Sequence, residues 1–329
     1  MNLRRKVLIA FGVGALAAPL MPFAQQPVKV YRVGWLVGGP SSVDPDFSFV
    51  ADMKKSLSDL GYSEGKNIVF DIRYSEGKSE RLAGLAAELV ALKPDVIISG
   101  ATPGTRAAKQ AARTIPIIMV GVSDPVGAGF VASLARPGGN ITGVANLGLD
   151  MAAKPLELLH AIVPKASRIA VLVPDNPAIP AIVNAIREAA QRIRITVLPM
   201  TVTTADEIEN AFASMVKEKV EALVVIADTV TMVNRQRIAE LAAENKLPAI
   251  YQYSVQVEAG GLFSYGPNSR NLEKVVASYI DKILKGVKPG DLPVQQPTEF
   301  ELVINMRTAK ALGVTFPSEI LIRADRVIQ

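Results

Sequence analysis

The run from Val96 to Val126, VIISGATPGTRAAKQAARTIPIIMVGVSDPV, constrains this chain more than any other stretch. Val96 to Ser99 is apolar and rich in β-branched residues, Gly100 marks a turn, Thr105 to Ala112 reads as helix, and Ile117 to Val122 is apolar again. Neither apolar run alternates with polar residues. Strands that are apolar on both faces belong inside a parallel sheet covered by helices, so the pattern predicts a buried strand–helix–strand unit.

Open α/β sheets bind ligands at the carboxyl ends of their strands. Ala101, Thr102 and Pro103 follow the first strand, and Ser123, Asp124 and Pro125 follow the second, which puts both clusters on one rim. Each polar residue has two readings. Thr102 caps the following helix and Asp124 the turn beginning at Pro125, or both face a ligand.

The unit recurs. Ala222 to Ile226 is a second short apolar strand, ending in Ala227, Asp228 and Thr229; a helix over Val233 to Asn245 follows, then Pro248 and a strand from Ala249 to Gln252 with Tyr253 and Ser254 at its end. Strand, polar rim, helix, proline, strand and polar rim thus occur twice in one order. This predicts two similar Rossmann-like α/β lobes with parallel sheets, and room for a small molecule between their polar edges.

The length of 329 residues fits two lobes of ordinary size. Aromatic residues make up 5% of the chain, so the core has to be aliphatic. There is no cysteine, which excludes disulfides, thiol catalysis and cysteine-bound zinc. His160, the single histidine, has no partner from which to build a metal cluster or a Ser-His pair, and reads as a structural residue of a helix over Met151 to Val163.

Residues Met1 to Ala24 have a basic start (Arg4, Arg5, Lys6), an apolar stretch from Val7 to Ala18, and Pro19 and Pro22 ahead of Ala24. That is the layout of an export signal, cleaved near Ala24. Its apolar part is about a dozen residues, short of the roughly 20 a membrane span needs. The formal charge of +5 falls to about +2 without its three basic residues, and no polybasic run follows, so nucleic acid is not an expected partner. Lys6 to Ala17 also contains G-x-G-x-x-A, the dinucleotide fingerprint, but Pro19 and Pro22 would break the helix it needs and no acidic residue ends the next strand; no cofactor is expected. Gly61 to Asn67 resembles a phosphate loop one residue short that leads into a strand rather than out of one, and is rejected.

In order, the chain reads as strand Val30 to Val37, a turn-rich loop Gly38 to Pro45, a helical stripe of Phe47, Val50, Met53, Leu57 and Leu60, strand Asn67 to Tyr74, and a helix marked by Leu82, Leu85, Ala86, Leu89 and Leu92. After Asp124 a short helix is expected over Gly129 to Ala135, then a strand over Thr142 to Ala145. Ile169 to Val173 opens the second lobe, with Asp175 and Asn176 at its rim, and Leu262 to Tyr265 is its last strand before the return. Crossings near Asn146 to Asp150, at the helix Leu272 to Leu284 and over Thr298 to Ile304 form a three-stranded hinge. The first lobe is then residues 27–147 with 268–297, and the second 148–267 with 298–329.

These residues carry a resemblance. LGYSEGKN (Leu60 to Asn67), ATP (Ala101 to Pro103), IPI (Ile115 to Ile117), SDPV (Ser123 to Val126), PGGNITG (Pro137 to Gly143) and the tail INMRTAKALG followed by FPSEILIRADRVI resemble the tryptophan/tyrosine-type ABC transporter substrate-binding family, of the type I periplasmic binding protein fold. The resemblance implies a monomeric periplasmic protein that closes on a small solute, such as an aromatic amino acid, and passes it to an ABC permease in the inner membrane. Carried over, the solute-binding residues are Thr102 and Pro103, Ser123 and Asp124, and Asp228 with Thr229; Asn176 stands at the rim beside them, and Ser42 lies in the loop the family turns toward solute. Asp228 suits an ammonium group, Thr102 and Ser123 a carboxylate, and Tyr253, Tyr265 or Trp35 a ring face.

Two other classes compete. An α/β enzyme acting on a small metabolite in the same cleft would need a clustered base, nucleophile or metal set, which the sequence lacks. A transcription regulator of this fold would need a basic helix-turn-helix where residues 1–29 carry an export signal.

Overall fold

The computed structural model describes residues 29–39, 49–146, 151–175, 179–268 and 272–329. The export segment with its glycine motif, Ser42 and Asn176 lie outside the described residues.

The first lobe is built on five strands, β1 (Tyr31–Val37), β2 (Ile68–Tyr74), β3 (Val96–Gly100), β4 (Ile117–Val122) and β5 (Ile141–Ala145), in the order β2-β1-β3-β4-β5. All neighbours pair in parallel. The unbroken apolar runs explain the position of β3 and β4, because both faces of each are covered. Ile98 and Ile118 point into a core with α1 (Phe49–Asp59), while Ile97 and Ile117 point into another with α3 (Ala101–Ala111). Each of the four is at most 1% exposed, and burying such a side chain stabilises by about 1.5–3 kcal/mol. Beside α3 lies α2 (Leu82–Ala91), which packs Leu82, Leu85, Ala86 and Leu89 against Leu36 and Ala107.

The second lobe holds β6 (Arg168–Pro174), β7 (Thr196–Val202), β8 (Ala222–Val225), β9 (Ala249–Tyr251), β10 (Phe263–Pro267), β11 (Phe300–Asn305) and β12 (Arg326–Ile328), ordered β12-β11-β10-β9-β8-β6-β7. Its helices are α4 (Lys154–Ile162), α5 (Ile179–Arg192), α6 (Ala205–Lys217), α7 (Thr229–Val233), α8 (Arg235–Glu244) and α9 (Ser254–Glu258). The chain then leaves for α10 (Leu272–Leu284), which packs Val276, Ala277 and Ile280 into the first lobe against Met53 and Leu57 of α1. On the way back Gln295 pairs with Val144 of β5, and the chain re-enters the second sheet as β11. It enters from the end at which β10 left, so β10 and β11 are antiparallel in an otherwise parallel sheet. The tail adds α11 (Met306–Leu312) and α12 (Ser318–Ile322) before β12.

Two local expectations are corrected and a third is refined. Residues 129–135 form turns rather than a helix, because Gly129 takes φ +67 and the preceding turn is fixed by Asp124. The helix expected over Val233 to Asn245 is α8, and a separate short helix, α7, precedes it; Asn234 parts the two, its side-chain amide donating to Val230 O at 2.8 Å. The helix expected from Thr105 starts at Ala101, directly off β3.

Candidate functional site

The carboxyl ends of β3, β4 and β5 face those of β6, β8 and β9, and the residues following these strands form the floor and roof of one interlobe cleft. On the first-lobe side the chain turns from strand to helix within one residue: Ala101 adopts φ +54, a left-handed conformation that costs a non-glycine residue about 1–2 kcal/mol. Thr105 holds that turn, its hydroxyl donating to Ala101 O at 2.9 Å and lying 3.0 Å from Ser99 Oγ. As a result Thr102 and Pro103 sit in the first turn of α3 rather than in a loop. Proline is tolerated there because its missing N–H would have had no partner in the helix.

Thr102 does not cap its helix. The N-cap is Gly100, and the Thr102 hydroxyl is buried with no hydrogen-bond partner. Such an oxygen normally costs about 1–3 kcal/mol, so an orphan at a cleft rim marks a place where a ligand can supply the missing bond. A cavity of about 260 Å³ opens beside it, lined by Ser79, Leu82, Thr102, Pro103 and Arg106 from the first lobe and Asp175 from the second. A cation and a carboxylate thus face one cavity from opposite lobes.

Asp124 does cap: its Oδ1 accepts from Gly127 N–H at 2.8 Å, closing the turn that starts at Pro125. Its neighbour Ser123 instead reaches the second lobe, lining a small space of about 40 Å³ with Asn146, Ile182, Ile226, Tyr251 and Gln252. In the second lobe Asp228 is the N-cap of α7, with Thr229 N–H donating to its Oδ1 at 2.6 Å and its own N–H donating to Thr231 Oγ1 at 2.9 Å. Thr229 stands against Gly38 of the first lobe.

The centre of the contact is a polar knot. Asn146 Oδ1, just past β5, accepts from Gln252 Nε2 at 2.6 Å and from Tyr253 Oη at 3.1 Å. Gln252 in turn accepts from Ala227 N–H at 3.3 Å, beside Asp228. Burial pushes the Tyr253 hydroxyl up to about 12, with the bond to Asn146 pulling the other way, so it stays a donor at any physiological pH. One amide therefore ties the rim of the first lobe to two adjacent positions of the second.

The structure brings Thr102, Pro103, Ser123, Asp228, Thr229 and Tyr253 to the facing rims. Tyr265 is elsewhere: its ring stacks on Phe300 at 5.8 Å and packs against the core of the second lobe. Trp35 is core as well, 4% exposed and edge-on to Phe49. The sequence reading passed over Asn146, Gln252 and Arg106. The rule that singled out Ser123, a polar residue directly after a fully buried strand, also points to Asn146 after β5 and Gln252 after β9.

This arrangement has close relatives. Residues 41–328 match the family described as ABC transporter substrate binding protein. The tyrosine-binding protein of Clostridioides difficile (strain R20291) is 34% identical over 262 residues, covering 79% of this chain and 75% of its own. Among solved structures, the ABC domain from Streptococcus pneumonia in complex with L-Trp is 28% identical with a TM-score of 0.83, covering 91% of this chain and all of that one (100%). A substrate binding protein with adhesive properties from Clostridium difficile, in its ligand-free, open structure, is 29% identical over the same shares, 91% and 100%, yet its TM-score is 0.64. At nearly the same identity and the same coverage, the chain superposes better on the tryptophan complex than on the open protein. Two lobes meeting rim to rim and a match spanning nearly every described residue lead to one conclusion: this chain belongs to the ABC transporter substrate-binding protein family.

Proposed function

We propose that the protein captures an α-amino acid with an aromatic side chain in the cleft between its lobes and delivers it, without altering it, to an ABC permease. The observation that carries the reading is the buried, unpartnered Thr102 hydroxyl at the start of α3, on a cavity that Asp175 lines from the second lobe. The first turn of a helix favours a carboxylate, through its free N–H groups and the positive end of its dipole. Thr102 and Ser123 receive the solute carboxylate, with Arg106 close enough to add its charge. Asp228 and Asp175 offer carboxylates to the ammonium group. Pro103 and Tyr253 bound the space. Asp124 supports its turn behind Ser123.

The protein acts as an exported monomer, its leading segment cleaved near Ala24. Among the described residues no helix is long and apolar enough to cross a membrane. The names of the relatives support tyrosine and tryptophan as the first solutes to test. Calorimetric titration of the mature protein with L-tyrosine, L-tryptophan, their amides and the corresponding amines separates the parts of the claim. Micromolar binding, about 8 kcal/mol, is expected for the amino acids. The amides and amines should bind at least tenfold more weakly, through loss of the carboxylate. No heat with any aromatic amino acid would remove the solute assignment.

A further inference from the structure

We infer that Gly38 is the seat on which the second lobe closes: the missing side chain there sets how tightly the lobes meet, and so the affinity for solute. The inference rests on the capture reading but concerns a residue that need not touch the solute.

Gly38 follows β1, and the first residue of α7 in the opposite lobe lies directly on it. A Cβ at Gly38 would stand 2.6 Å from Thr229 Oγ1 and 2.8 Å from its Cγ2, closer than any van der Waals contact permits. Neither partner can yield. Thr229 is β-branched, with a stiff χ1, and its backbone is fixed by the Asp228 cap. Gly38 is held from behind, its carbonyl accepting from Gly77 N–H at 2.8 Å and Ser75 Oγ at 2.9 Å. One turn along, a Cβ at Gly39 would stand 4.0 Å from Val233 Cγ2 and one at Gly77 3.9 Å from Val233 Cγ1, ordinary contact distances.

The backbone at Gly38 is not in the left-handed region, so the position does not need glycine for its own conformation. The three atoms nearest to a Cβ there all belong to Thr229, and none to the first lobe. An alanine fits badly only when α7 arrives. A substitution at Gly38 therefore leaves each lobe intact and penalises the closed arrangement alone, and the affinity of a protein that must close falls with the population of its closed form.

The chain has no cysteine, which gives a solute-free readout. In Gly39→Cys/Val233→Cys the two new side chains meet when the lobes close, and oxidation should cross-link them. Adding Gly38→Ala should slow the cross-link at least tenfold, and further adding Thr229→Ala, which removes both clashing atoms, should restore it. In parallel, L-tyrosine and L-tryptophan are titrated into wild type, Gly38→Ala, Thr229→Ala and the double variant. Gly38→Ala should weaken binding at least tenfold in the wild-type background and less than threefold in the Thr229→Ala background, with an unchanged melting temperature in the absence of solute. Should Gly38→Ala fold poorly, Thr229→Ile adds the bulk from the other side and should slow the cross-link equally. If neither amino acid binds wild type, the aromatic solute reading fails and the cross-link still decides the seat. Equal cross-linking with and without Gly38→Ala, or no relief by Thr229→Ala, overturns the inference.

Discussion

The two strand–helix–strand units, β3-α3-β4 in the first lobe and β8 to β9 in the second, agree at the end of the sheet away from the cleft and differ at the end facing it. At the far end, Lys93 and Lys219 both take left-handed backbone, φ +51 and +54, before an acidic residue that leads into the central strand. Asp95 N–H donates to Arg32 O at 2.8 Å and Glu221 N–H to Arg168 O at 2.9 Å, and each carboxylate accepts the same arginine's N–H in return. After each helix a proline carbonyl receives the central strand, Ile97 to Pro116 and Leu223 to Pro248, both at 2.9 Å. At the cleft the likeness stops. In the second lobe Asp228 caps its helix and Gln252 and Tyr253 bond Asn146 across the cleft, whereas the first lobe strains Ala101 and leaves the Thr102 hydroxyl unbonded. The two units thus share one design away from the cleft and depart from it at the surfaces that meet, where strain and unmet hydrogen bonds have a use.

The largest effect should come from cutting the tie between the rims. Asn146→Leu keeps the volume but leaves Gln252 and Tyr253 with buried donors facing carbon, at about 1–3 kcal/mol for each. Solute affinity measured by calorimetry should fall at least tenfold. Tyr253→Phe removes one donor and leaves Gln252 bonded, so about 1 kcal/mol and a fivefold loss are expected. If Asn146→Leu bound solute normally, the knot would be packing and the two rims would be equivalent after all.

A smaller pair tests whether the rims differ in kind. Asp228→Ala removes a helix cap and should cost about 1 kcal/mol, a fall in Tm of about 2–4 °C without solute. Thr102→Val removes a hydroxyl that bonds to nothing, so the same measurement should show no loss or a slight gain, while affinity drops about five- to tenfold. Equal destabilisation by both would show that the Thr102 hydroxyl has a structural partner and that the contrast is false.

How much of this was legible in the sequence follows from the same contrast. The far ends were readable because burial on both faces demands unbroken apolar runs, and Val96 to Ser99 and Ile117 to Val122 supply them. The rims were half readable. Polar residues after buried strands marked Ser123 and Asp228, but Asn146 reads equally well as the start of a connection, and it takes the partner lobe to show what it bonds. Ala101 carries no residue-type signal for left-handed backbone, which hid the true start of α3. Glycine at 129 undid a helix that composition favoured, and Asn234, whose side chain bonds backbone, set the start of α8. Gly38 reads as one more loop glycine, since its role is a distance to a residue nearly two hundred positions away. Tyr265 and Trp35 looked like candidate ring platforms because aromatics are few, and packing claimed both.

The smallest effect belongs to the end where the lobes agree. Glu221 Oε2 accepts from Ser167 N–H at 2.7 Å, Ser167 Oγ at 2.9 Å and Arg168 N–H at 3.1 Å. The bonds from Ser167 are the main reason its carboxyl titrates below the usual glutamate range. A depressed folded-state pKa contributes stability that is present above the unfolded value and is lost as pH falls through the folded one. Glu221→Gln should therefore lower Tm by about 1–2 °C at pH 7, a modest shift because the group is exposed. The difference from wild type should shrink below about pH 4, where the unfolded carboxyl begins to hold its proton. The corresponding change in the first lobe, Asp95→Asn, should give a loss of similar size if the two far ends share one design, since it too accepts the N–H of the strand-opening arginine. Paired melts of the two variants from pH 7 to pH 3 measure that directly, and a loss at one position with none at the other would confine the likeness to backbone geometry.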